Sequence, residues 1–503
     1  MSDATTAGMV NGESDIAQLA QGGRTNILGF VLRLIARVPF LIIGGRLYGA
    51  AALGRMAYAV LIIEFAAQIA ANGMRRGLAL QFAQGDRRHV NESMNALIVS
   101  AAIATPLILL LRAFPHLMFP KGLVGGWDLL LPFVIIPYAW TEVMLAALAY
   151  KFDVATTVRV RSVVEPWALS IGAGVMLFVS KDDGLVAAFA GSVIASFAYA
   201  AFAFFKDYGV PRGWRFEPRW LISLGWQNVP LSAADAIEWG TRRLDMAILG
   251  LFLAPEIVGV YYVAQQVASL PQKLKSSFEP VLGPVIARKL TAGDKPGVAH
   301  QLSQVGFWII AAQLGIALTF ILTASGVMGL VGPHSRFVPG TKALTAMLVS
   351  EVVASPAVVA EAALVYLASK QNMLISVSIF LLQGVATYAL LALAPDWGWS
   401  LRWQSAIPAM VLAGTLCLAS VIKTRLAQRL LGAPVCVLRW QLLWAAGAAI
   451  IVGLVFLQLP EWADLAVGLP AIAAAYAIVL WRFVFVNEDR TLFRRARLDP
   501  EVA

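Results

Sequence analysis

Apolar runs long enough to cross a lipid bilayer recur along the whole chain, separated by short polar gaps. A hydrocarbon core about 30 Å thick needs about 20 apolar residues of helix. Hydrophobic residues make up 59% of the 503 residues and charged residues 14%, with a mean hydropathy of +0.74, whereas soluble domains are about 45–50% apolar and about 25% charged. We therefore predict an all-α polytopic membrane protein. This class excludes a soluble enzyme, a disordered scaffold and a disulfide-stapled secreted module.

The apolar runs predict about fourteen transmembrane helices, which places both termini on the same side of the membrane. Residues 1–23 are polar and include Glu13 and Asp15, so we predict no cleavable signal and expect the first run to remain as an anchor. No gap exceeds about 20 residues and no P-loop motif occurs, so we expect neither a soluble catalytic domain nor direct ATP drive. The predicted spans are approximately 26–48, 53–73, 94–111, 128–150, 164–180, 185–205, 228–253, 257–285, 300–324, 341–368, 374–394, 404–422, 441–459 and 464–486.

Basic residues are distributed unevenly between the two sides of the predicted membrane. Roughly 25 of the 39 Lys and Arg residues lie on the side of the termini and about seven on the other side. Cytoplasmic loops carry the excess of Lys and Arg in membrane proteins, so we predict that both termini are cytoplasmic. The net charge of +10 then reflects topology, and we expect no nucleic-acid partner.

A weak internal repeat relates the two halves of the chain. Residues 37–59 align with residues 242–264, so that Gly54 meets Gly259. Because transporters are often built from duplicated helix bundles, we predict two pseudo-symmetric six-helix lobes followed by two extra helices. The predicted segments are a cytoplasmic polar tail (1–23), an N-lobe (24–205), an interfacial linker (206–227), a C-lobe (228–424), a second linker (425–440), two further helices (441–486) and a cytoplasmic tail (487–503).

Several glycine- and proline-marked segments carry a resemblance to a known family. They are the segment 44–49 followed by 53–54, the second-lobe entry 230–245, the segments 248–250 and 258–264, and the prolines Pro280 and Pro284. In these segments and in its helix rhythm, the chain resembles the multidrug/oligosaccharidyl-lipid/polysaccharide (MOP) exporter superfamily, and within it the Wzx-type flippases of polysaccharide repeat units. The resemblance implies a bacterial inner-membrane protein with two lobes around a central cavity, which opens alternately to the cytoplasm and the periplasm.

Charged side chains inside the predicted spans are the first candidate functional residues. A charge in the hydrocarbon core costs at least about 2.5–3.5 kcal/mol and normally faces protein or water. Arg33 and Arg37 share one face of the first span, and guanidinium groups suit phosphate oxygens. The alternative is a structural ion pair, for instance with Glu64, and Arg55 near a helix end would otherwise snorkel. The predicted substrate-binding residues are Arg33, Arg37, Arg55, Arg242, Gln265, Gln272 and Lys273.

The seventh predicted span carries four ionisable residues at helical spacing. Asp235, Glu238, Arg242 and Asp245 are three, four and three residues apart, which predicts one polar stripe facing the interior, with Arg243 on another face. Arg242 would bind the anion while Asp235 or Glu238 takes up H⁺ or Na⁺; the alternative is a self-neutralising network that helps the lobes pack. The ion-coupling candidates are Asp235, Glu238, Asp245, Glu64, Glu351 and Glu361, and Glu142 is a further cavity candidate.

The eighth predicted span adds a polar wall. Gln265, Gln272 and Lys273 recur at near-helical spacing and would offer donors and acceptors to sugars; Lys273 otherwise serves as a topology signal. The four histidines and two cysteines show no ligand-like spacing, so we expect no metal site, disulfide or other cofactor.

These features together favour transport over catalysis, and we expect no enzyme activity. The predicted function is a flippase for a polyprenyl-pyrophosphate-linked oligosaccharide, serving O-antigen, capsule or exopolysaccharide synthesis alongside a polysaccharide polymerase and chain-length machinery. Three alternatives remain open: a cation-coupled multidrug exporter, a lipid II flippase, and a membrane glycosyltransferase or ligase.

Overall fold

The computed structural model describes residues 37–84, 89–121, 125–151, 153–241, 243–456, 460 and 463–490. Two of the sequence-predicted site residues, Arg33 and Arg242, lie outside the described residues. The side chains of Glu238, Gln272 and Lys273 lie outside the described part of the structure as well. The roles predicted for these five residues therefore stay predictions.

Contacts between helices divide the chain into two compact units. The N-terminal unit consists of Val31–Val263 and Val331–Arg336. Two π-helical segments, Gly44–Tyr48 and Val160–Val164, continue its first and sixth helices. The helices of this unit are α1 (37–43), α2 (Ala50–Ala70), α3 (Met74–Gln84), α4 (His89–Ala113), α5 (Ile135–Tyr150), α6 (Val154–Arg159), α7 (Glu165–Met176), α8 (Gly184–Tyr208), α9 (Pro218–Thr241), α10 (Leu244–Phe252) and the first part of α11 (Pro255–Thr291).

The C-terminal unit includes Ala264–Leu330 and Phe337–Ala503. Its large core joins α12 to the last helices of the chain, with Phe307, Trp308 and Tyr476 among the buried side chains. The lobe boundaries predicted from the sequence stay a prediction. The remaining helices are α12 (Lys295–Leu322), α13 (Ala324–Val331), α14 (His334–Phe337), α15 (Thr341–Leu367), α16 (Ser369–Leu393), α17 (Leu401–Gln404), α18 (Ile407–Leu431), α19 (Leu442–Phe456), α20 (Leu469–Val479) and α21 (Asn487–Arg490).

All regular elements within the described ranges are helical, and the predicted all-α membrane class is confirmed. Nine helices in the described part of the chain are long and apolar enough to cross a membrane, while the number fourteen remains a prediction. The nine are Ala50–Ala79, His89–Ala113, Leu131–Tyr150, Gly184–Tyr208, Lys295–Leu322, Val338–Leu367, Ser369–Leu393, Leu401–Leu431 and Asp464–Val484.

A continuous helix runs from α6 to α7, and it begins well before the apolar run from which the sequence predicts this span. The sequence predicts the start of this span near residue 164, but the helix starts at Val154 because Asp153 caps it, accepting a hydrogen bond from the Thr156 amide at 3.0 Å. Pro166 has no amide hydrogen to donate to the carbonyl of Ser162, one turn earlier. The wide π-helical turn at Val160–Val164 lies just before this proline. Polar residues that look like a loop in the sequence therefore lie on a helix.

Helices α2 and α11 meet backbone to backbone in the N-terminal unit. A Cβ atom on Gly54 would overlap the Pro255 carbonyl, and one on Gly259 would overlap the Ala50 carbonyl. Small residues allow this close approach in membrane proteins, where packing and polar contacts replace the hydrophobic effect as the attraction between helices. The contact fixes the start of α11 against the start of α2.

Candidate functional site

Charged and aromatic side chains from six helical segments of the N-terminal unit come together in one cluster. Three are arginines, three are glutamates and two are tyrosines, so the cluster combines both signs of charge with hydroxyl groups. We call this set the charged cluster. Its members are Arg37 of α1, Glu64 of α2, Tyr138 and Glu142 of α5, Arg161 and Glu165 of the α6–α7 helix, Arg243 between α9 and α10, and Tyr262 of α11.

Arg161 is held by two carboxylates at once. Its Nη2 contacts Oε1 of Glu142, and its Nη1 lies 2.6 Å from Oε2 of Glu165, one helical turn further along its own helix. The guanidinium also lies over the ring of Tyr138, 5.0 Å from the ring centre. Arg161 itself belongs to the π-helical turn before Pro166, a distortion that often occurs at functional sites.

A second ion pair lies in the same cluster. Arg243 Nη2 lies 3.4 Å from Glu64 Oε2, and its guanidinium lies 5.9 Å from the ring centre of Trp239. Arg37, Arg243 and Glu64 all act electrostatically on Tyr262, which brings α1 into the cluster. Glu64 and the Glu142–Arg161–Glu165 group both act on Tyr138, which connects the two ion-paired groups.

The cluster lies deep along its helices and is still reached by solvent. Arg37 lies eleven residues before Tyr48, and Glu165 lies eleven residues before Met176, which corresponds to about 16 Å of helix. The side chains of Arg161 and Arg243 are nonetheless 17% and 31% exposed. Both guanidinium groups are therefore partly accessible at the surface of the N-terminal unit.

The chemistry of the cluster suits a ligand that carries both anionic and hydroxyl groups. Guanidinium groups donate paired hydrogen bonds to phosphate oxygens. Carboxylates accept hydrogen bonds from hydroxyl groups, and tyrosine does both. Trp239, stacked on Phe65 with 5.3 Å between ring centres, adds an aromatic surface beside Arg243.

The predicted polar stripe of the seventh span is divided between two helices. Because α9 ends at Thr241 and α10 begins at Leu244, Asp235 and Asp245 lie on different helices. The buried Asp235 lies 3.4 Å from Arg76 of α3. Asp245 is also buried and accepts hydrogen bonds from the Tyr261 hydroxyl at 2.6 Å and from the Met246 amide at 2.8 Å. The one-face stripe predicted from the sequence is therefore wrong, while the predicted ion-coupling roles stay predictions.

Arg55 lies in a separate ionic group that ties three segments of the N-terminal unit together. Its guanidinium contacts the buried Asp128, and its Nη1 lies 2.9 Å from Oδ1 of Asp183. The Gly125 amide donates to Oδ2 of Asp128 at 2.6 Å. Burial, the largest influence, raises the pKa of Asp128, while the Gly125 hydrogen bond and Arg55 act in the opposite direction. The predicted substrate-binding role of Arg55 stays a prediction.

Three further sequence-predicted residues belong to the C-terminal unit. Oε2 of Glu361 lies 3.0 Å from Nζ of Lys423, which is buried and also bonds the Ser376 hydroxyl at 2.9 Å. Glu351 and Gln265 are half-buried. This pair joins a buried lysine to a glutamate whose side chain is 43% exposed. The ion-coupling roles of Glu361 and Glu351 stay predictions.

Sequence reasoning missed three of the arginines and glutamates of the charged cluster. Arg161 lies just before the fifth predicted span, 164–180, and Glu165 lies at its start. Arg243 was placed on a different helix face from the stripe. One signal was present in the sequence: Arg161 and Glu165 are four residues apart, the spacing of an ion pair along a helix. In the described part of the chain, no group of three or more His, Cys, Asp or Glu side chains could hold a metal ion.

Comparison with known sequences identifies a family. The profile of the polysaccharide biosynthesis protein family matches residues 45–331, more than half of the chain. This region includes every member of the charged cluster except Arg37. No curated protein matches the chain.

The fold is similar to that of solved transporters. Lipid II flippase MurJ in an inward closed conformation is 13% identical, with a TM-score of 0.67, over 90% of this chain and 98% of that chain. An inward-facing multidrug resistance MATE family transporter of the MOP superfamily is 13% identical, with a TM-score of 0.60, over 80% and 94%. A MOP superfamily transporter from Pyrococcus furiosus is 13% identical, with a TM-score of 0.55, over 84% and 96%.

Proposed function

The chain belongs to the polysaccharide biosynthesis protein family and has the MOP transporter fold, and from this premise we propose that it flips a polyprenyl-pyrophosphate-linked oligosaccharide repeat unit across the bacterial inner membrane. The repeat unit would move from the cytoplasmic to the periplasmic leaflet, for O-antigen, capsule or exopolysaccharide synthesis. A polysaccharide polymerase and its chain-length machinery would then use it.

The charged cluster is the observation that carries this proposal. A lipid-linked oligosaccharide combines a pyrophosphate with many hydroxyl groups, and neither can enter hydrocarbon without polar partners. Arg37, Arg161 and Arg243 offer donors to the pyrophosphate, while Glu142 and Glu165 offer acceptors to sugar hydroxyls. The lipid tail would remain in the bilayer throughout, so only the headgroup needs the cavity.

The membrane potential can drive this transport without ATP. With the cytoplasm negative, moving two negative charges outward releases about 4.6 kcal/mol per 100 mV, from about 2.3 kcal/mol per charge. H⁺ or Na⁺ is proposed as a coupling ion that resets the empty carrier.

A cation-coupled multidrug exporter is the second candidate. The three glutamates of the charged cluster favour it, because carboxylates attract cationic substrates. The three arginines in the same cluster oppose it, and the family match supports a saccharide substrate. A lipid II flippase would need the same pyrophosphate-binding groups.

The test uses the purified protein in liposomes that contain a polyprenyl-pyrophosphate-linked oligosaccharide in both leaflets. A membrane-impermeant glycosidase trims only glycan that reaches the outer leaflet. We expect wild-type protein to expose nearly all of the glycan, and Arg161→Gln to leave the inner-leaflet share protected because the cavity loses a phosphate donor.

Arg112→Gln is the matched control. Arg112 is exposed at the end of α4 and lies over the ring of Phe133, outside the charged cluster, so this variant should behave as wild type. Full trimming with correctly folded Arg161→Gln would contradict the proposed site. Protected glycan with wild-type protein would contradict the proposed function.

A further inference from the structure

Two tyrosine hydroxyls of the charged cluster make no hydrogen bond within the described part of the chain. They belong to Tyr138 of α5 and Tyr262 of α11, and both side chains are half-buried. Neither oxygen is among the buried side-chain atoms that lack a partner in the described residues, so both oxygens are accessible. Both hydroxyls can therefore form hydrogen bonds with a ligand.

Other tyrosines of the N-terminal unit show a different pattern. The Tyr48 hydroxyl donates to the Ala173 carbonyl at 2.8 Å, and the hydroxyls of Tyr58 and Tyr208 also donate to backbone carbonyls. A tyrosine hydroxyl that is packed into a protein usually finds such a partner. The two hydroxyls of the cluster lie instead among charged groups that pair with one another.

The charges around Tyr262 favour an anion. Two arginines and two glutamates act electrostatically on this side chain, and Arg37 and Arg243 act more strongly than Glu64 and Glu165. Attraction between opposite charges is stronger where protein replaces part of the water. A hydroxyl donor that lies in a positive field suits a phosphate oxygen.

The charges around Tyr138 favour a neutral group. Its ring centre lies 5.0 Å from the guanidinium of Arg161, but this guanidinium already contacts Glu142 and Glu165. Three carboxylates and two guanidinium groups act on Tyr138, and Glu64 acts most strongly. A phosphate would be repelled there, whereas a sugar hydroxyl can donate to the tyrosine oxygen or accept from it.

We propose that the two hydroxyls divide the headgroup between them: Tyr262 donates a hydrogen bond to the pyrophosphate, and Tyr138 hydrogen-bonds a hydroxyl group of the attached sugar. The inference rests on the proposed function and gives the headgroup an orientation in the charged cluster. Arg161 has more N–H groups than its two carboxylates engage, so it can still donate to the pyrophosphate. Glu142 and Glu165 accept hydrogen bonds from further sugar hydroxyls.

This division defines the substrate class more closely, as a lipid-linked pyrophosphate diester whose first sugar is neutral. A uronic acid in that position would bring a carboxylate among the glutamates that act on Tyr138, and like charges repel. A hydroxyl both donates and accepts hydrogen bonds, so Tyr138 does not require one particular sugar configuration. The sugar end of the site therefore selects by charge.

The experiment is calorimetric titration of the purified full-length protein in lipid nanodiscs with two probes. The sugar probe is farnesyl-pyrophosphate-linked N-acetylglucosamine, and the methyl probe is farnesyl methyl pyrophosphate, in which a methyl group replaces the sugar. Both phosphates are esterified in each probe, so the two probes carry the same charge at neutral pH. We expect wild-type protein to bind both probes, and the sugar probe more tightly.

Tyr262→Phe and Tyr138→Phe each remove one oxygen and keep the aromatic ring. Because neither hydroxyl bonds to the described part of the protein, both variants should keep the wild-type melting temperature. Tyr262→Phe should weaken the binding of both probes about tenfold or more, because a hydrogen bond to a charged group is lost. Tyr138→Phe should weaken only the sugar probe, by about two- to tenfold, because its hydrogen bond joins neutral groups.

Tyr366→Phe is the matched control. Tyr366 lies on α15, outside the charged cluster, and is 53% exposed. This variant loses the same oxygen atom and should bind both probes as wild type does.

The outcomes separate this inference from the proposed function. Equal weakening of both probes by Tyr138→Phe, or wild-type affinities in either cluster variant, would overturn the division and leave the flippase proposal in place. Equal or tighter binding of farnesyl-pyrophosphate-linked glucuronic acid, compared with the sugar probe, would also overturn it. No binding of the sugar probe by folded wild-type protein would count against the flippase proposal itself, and the division would fall with it.

Discussion

Arg161 has the most charged and aromatic contacts that the structure describes within the charged cluster. It contacts two glutamates and one tyrosine ring. It also belongs to a π-helical turn, which has regular α-helix before and after it. Removing the guanidinium would leave Glu142 and Glu165 together without their shared cation. Breaking a buried ion pair costs about 3–5 kcal/mol, and this trio is partly exposed, so a smaller loss of stability is expected alongside the loss of transport.

Asp128 gives a pH-dependent prediction at the residue scale. Burial raises the pKa of this carboxyl in the folded protein, so the folded state binds the proton more tightly than the unfolded state, and wild-type stability falls as the pH rises through the folded pKa. Asp128→Asn keeps the side chain neutral at every pH. The melting temperature of the variant minus that of wild type should therefore increase between pH 4 and pH 7.5. A difference that decreases over this range would contradict the prediction.

Some residues of the charged cluster could be predicted from the sequence and others could not. Arg37, Glu64 and Glu142 could be selected because a charge inside an apolar run is expensive and therefore noticeable. Arg161 could not, because it lies just outside the apolar run, and a run of hydrophobic residues does not show where a capped helix begins. Arg243 was assigned to another face on the assumption of a continuous helix, and the break between α9 and α10 removes that assumption.

At the element scale, the contact between α2 and α11 depends on glycine. Gly54→Ala would place a methyl group against the Pro255 carbonyl and force the two helices apart. Overpacking of this kind costs about 1–3 kcal/mol, so we expect a clearly lower melting temperature. Gly174→Ala in α7 is the matched control, because a Cβ there meets open space. Equal melting temperatures for the two variants would contradict the backbone contact.

The last helical segment is fixed to the C-terminal unit by a buried carboxylate. Asp489 of α21 accepts hydrogen bonds from Trp308 Nε1 at 2.9 Å and from the Val486 amide at 2.9 Å, and it pairs with Arg439 Nη1 at 2.6 Å. Its carboxylate also contacts the side-chain amide of Gln304. Two of these donors lie on α12, one lies just before α19 and one just before α21 itself, so a single side chain connects three segments of the chain.

Asp489→Ala should destabilise the protein by about 2–3 kcal/mol, which is less than for a fully buried ion pair, because Arg439 is 26% exposed. Thermal unfolding in detergent measures the effect. Asp396→Ala, in the exposed turn between α16 and α17, is the control and should leave the melting temperature unchanged. An Asp489→Ala variant as stable as this control would show that the carboxylate contributes nothing.

At the scale of the whole molecule, the fold class follows from hydropathy, because continuous apolar runs of about 20 residues match membrane-spanning helices, which satisfy their own backbone groups. The number of spans does not follow as directly: α7 and α19 are short, and α9 carries polar residues along its length. Sidedness depends on the distribution of Lys and Arg in the loops, and the cytoplasmic position of both termini stays a prediction.

The sidedness of lipid-linked oligosaccharide in a strain that lacks this gene tests the central claim most directly. Spheroplasts are treated with a membrane-impermeant glycosidase, and the polyprenyl-linked glycans are then extracted and compared with those of the complemented strain. The flippase account predicts accumulated glycan that is protected from the enzyme, together with loss of surface polysaccharide. Unchanged glycan and polysaccharide with new sensitivity to cationic dyes would contradict it in favour of a multidrug exporter, and loss of the lipid-linked glycan itself would indicate an enzyme.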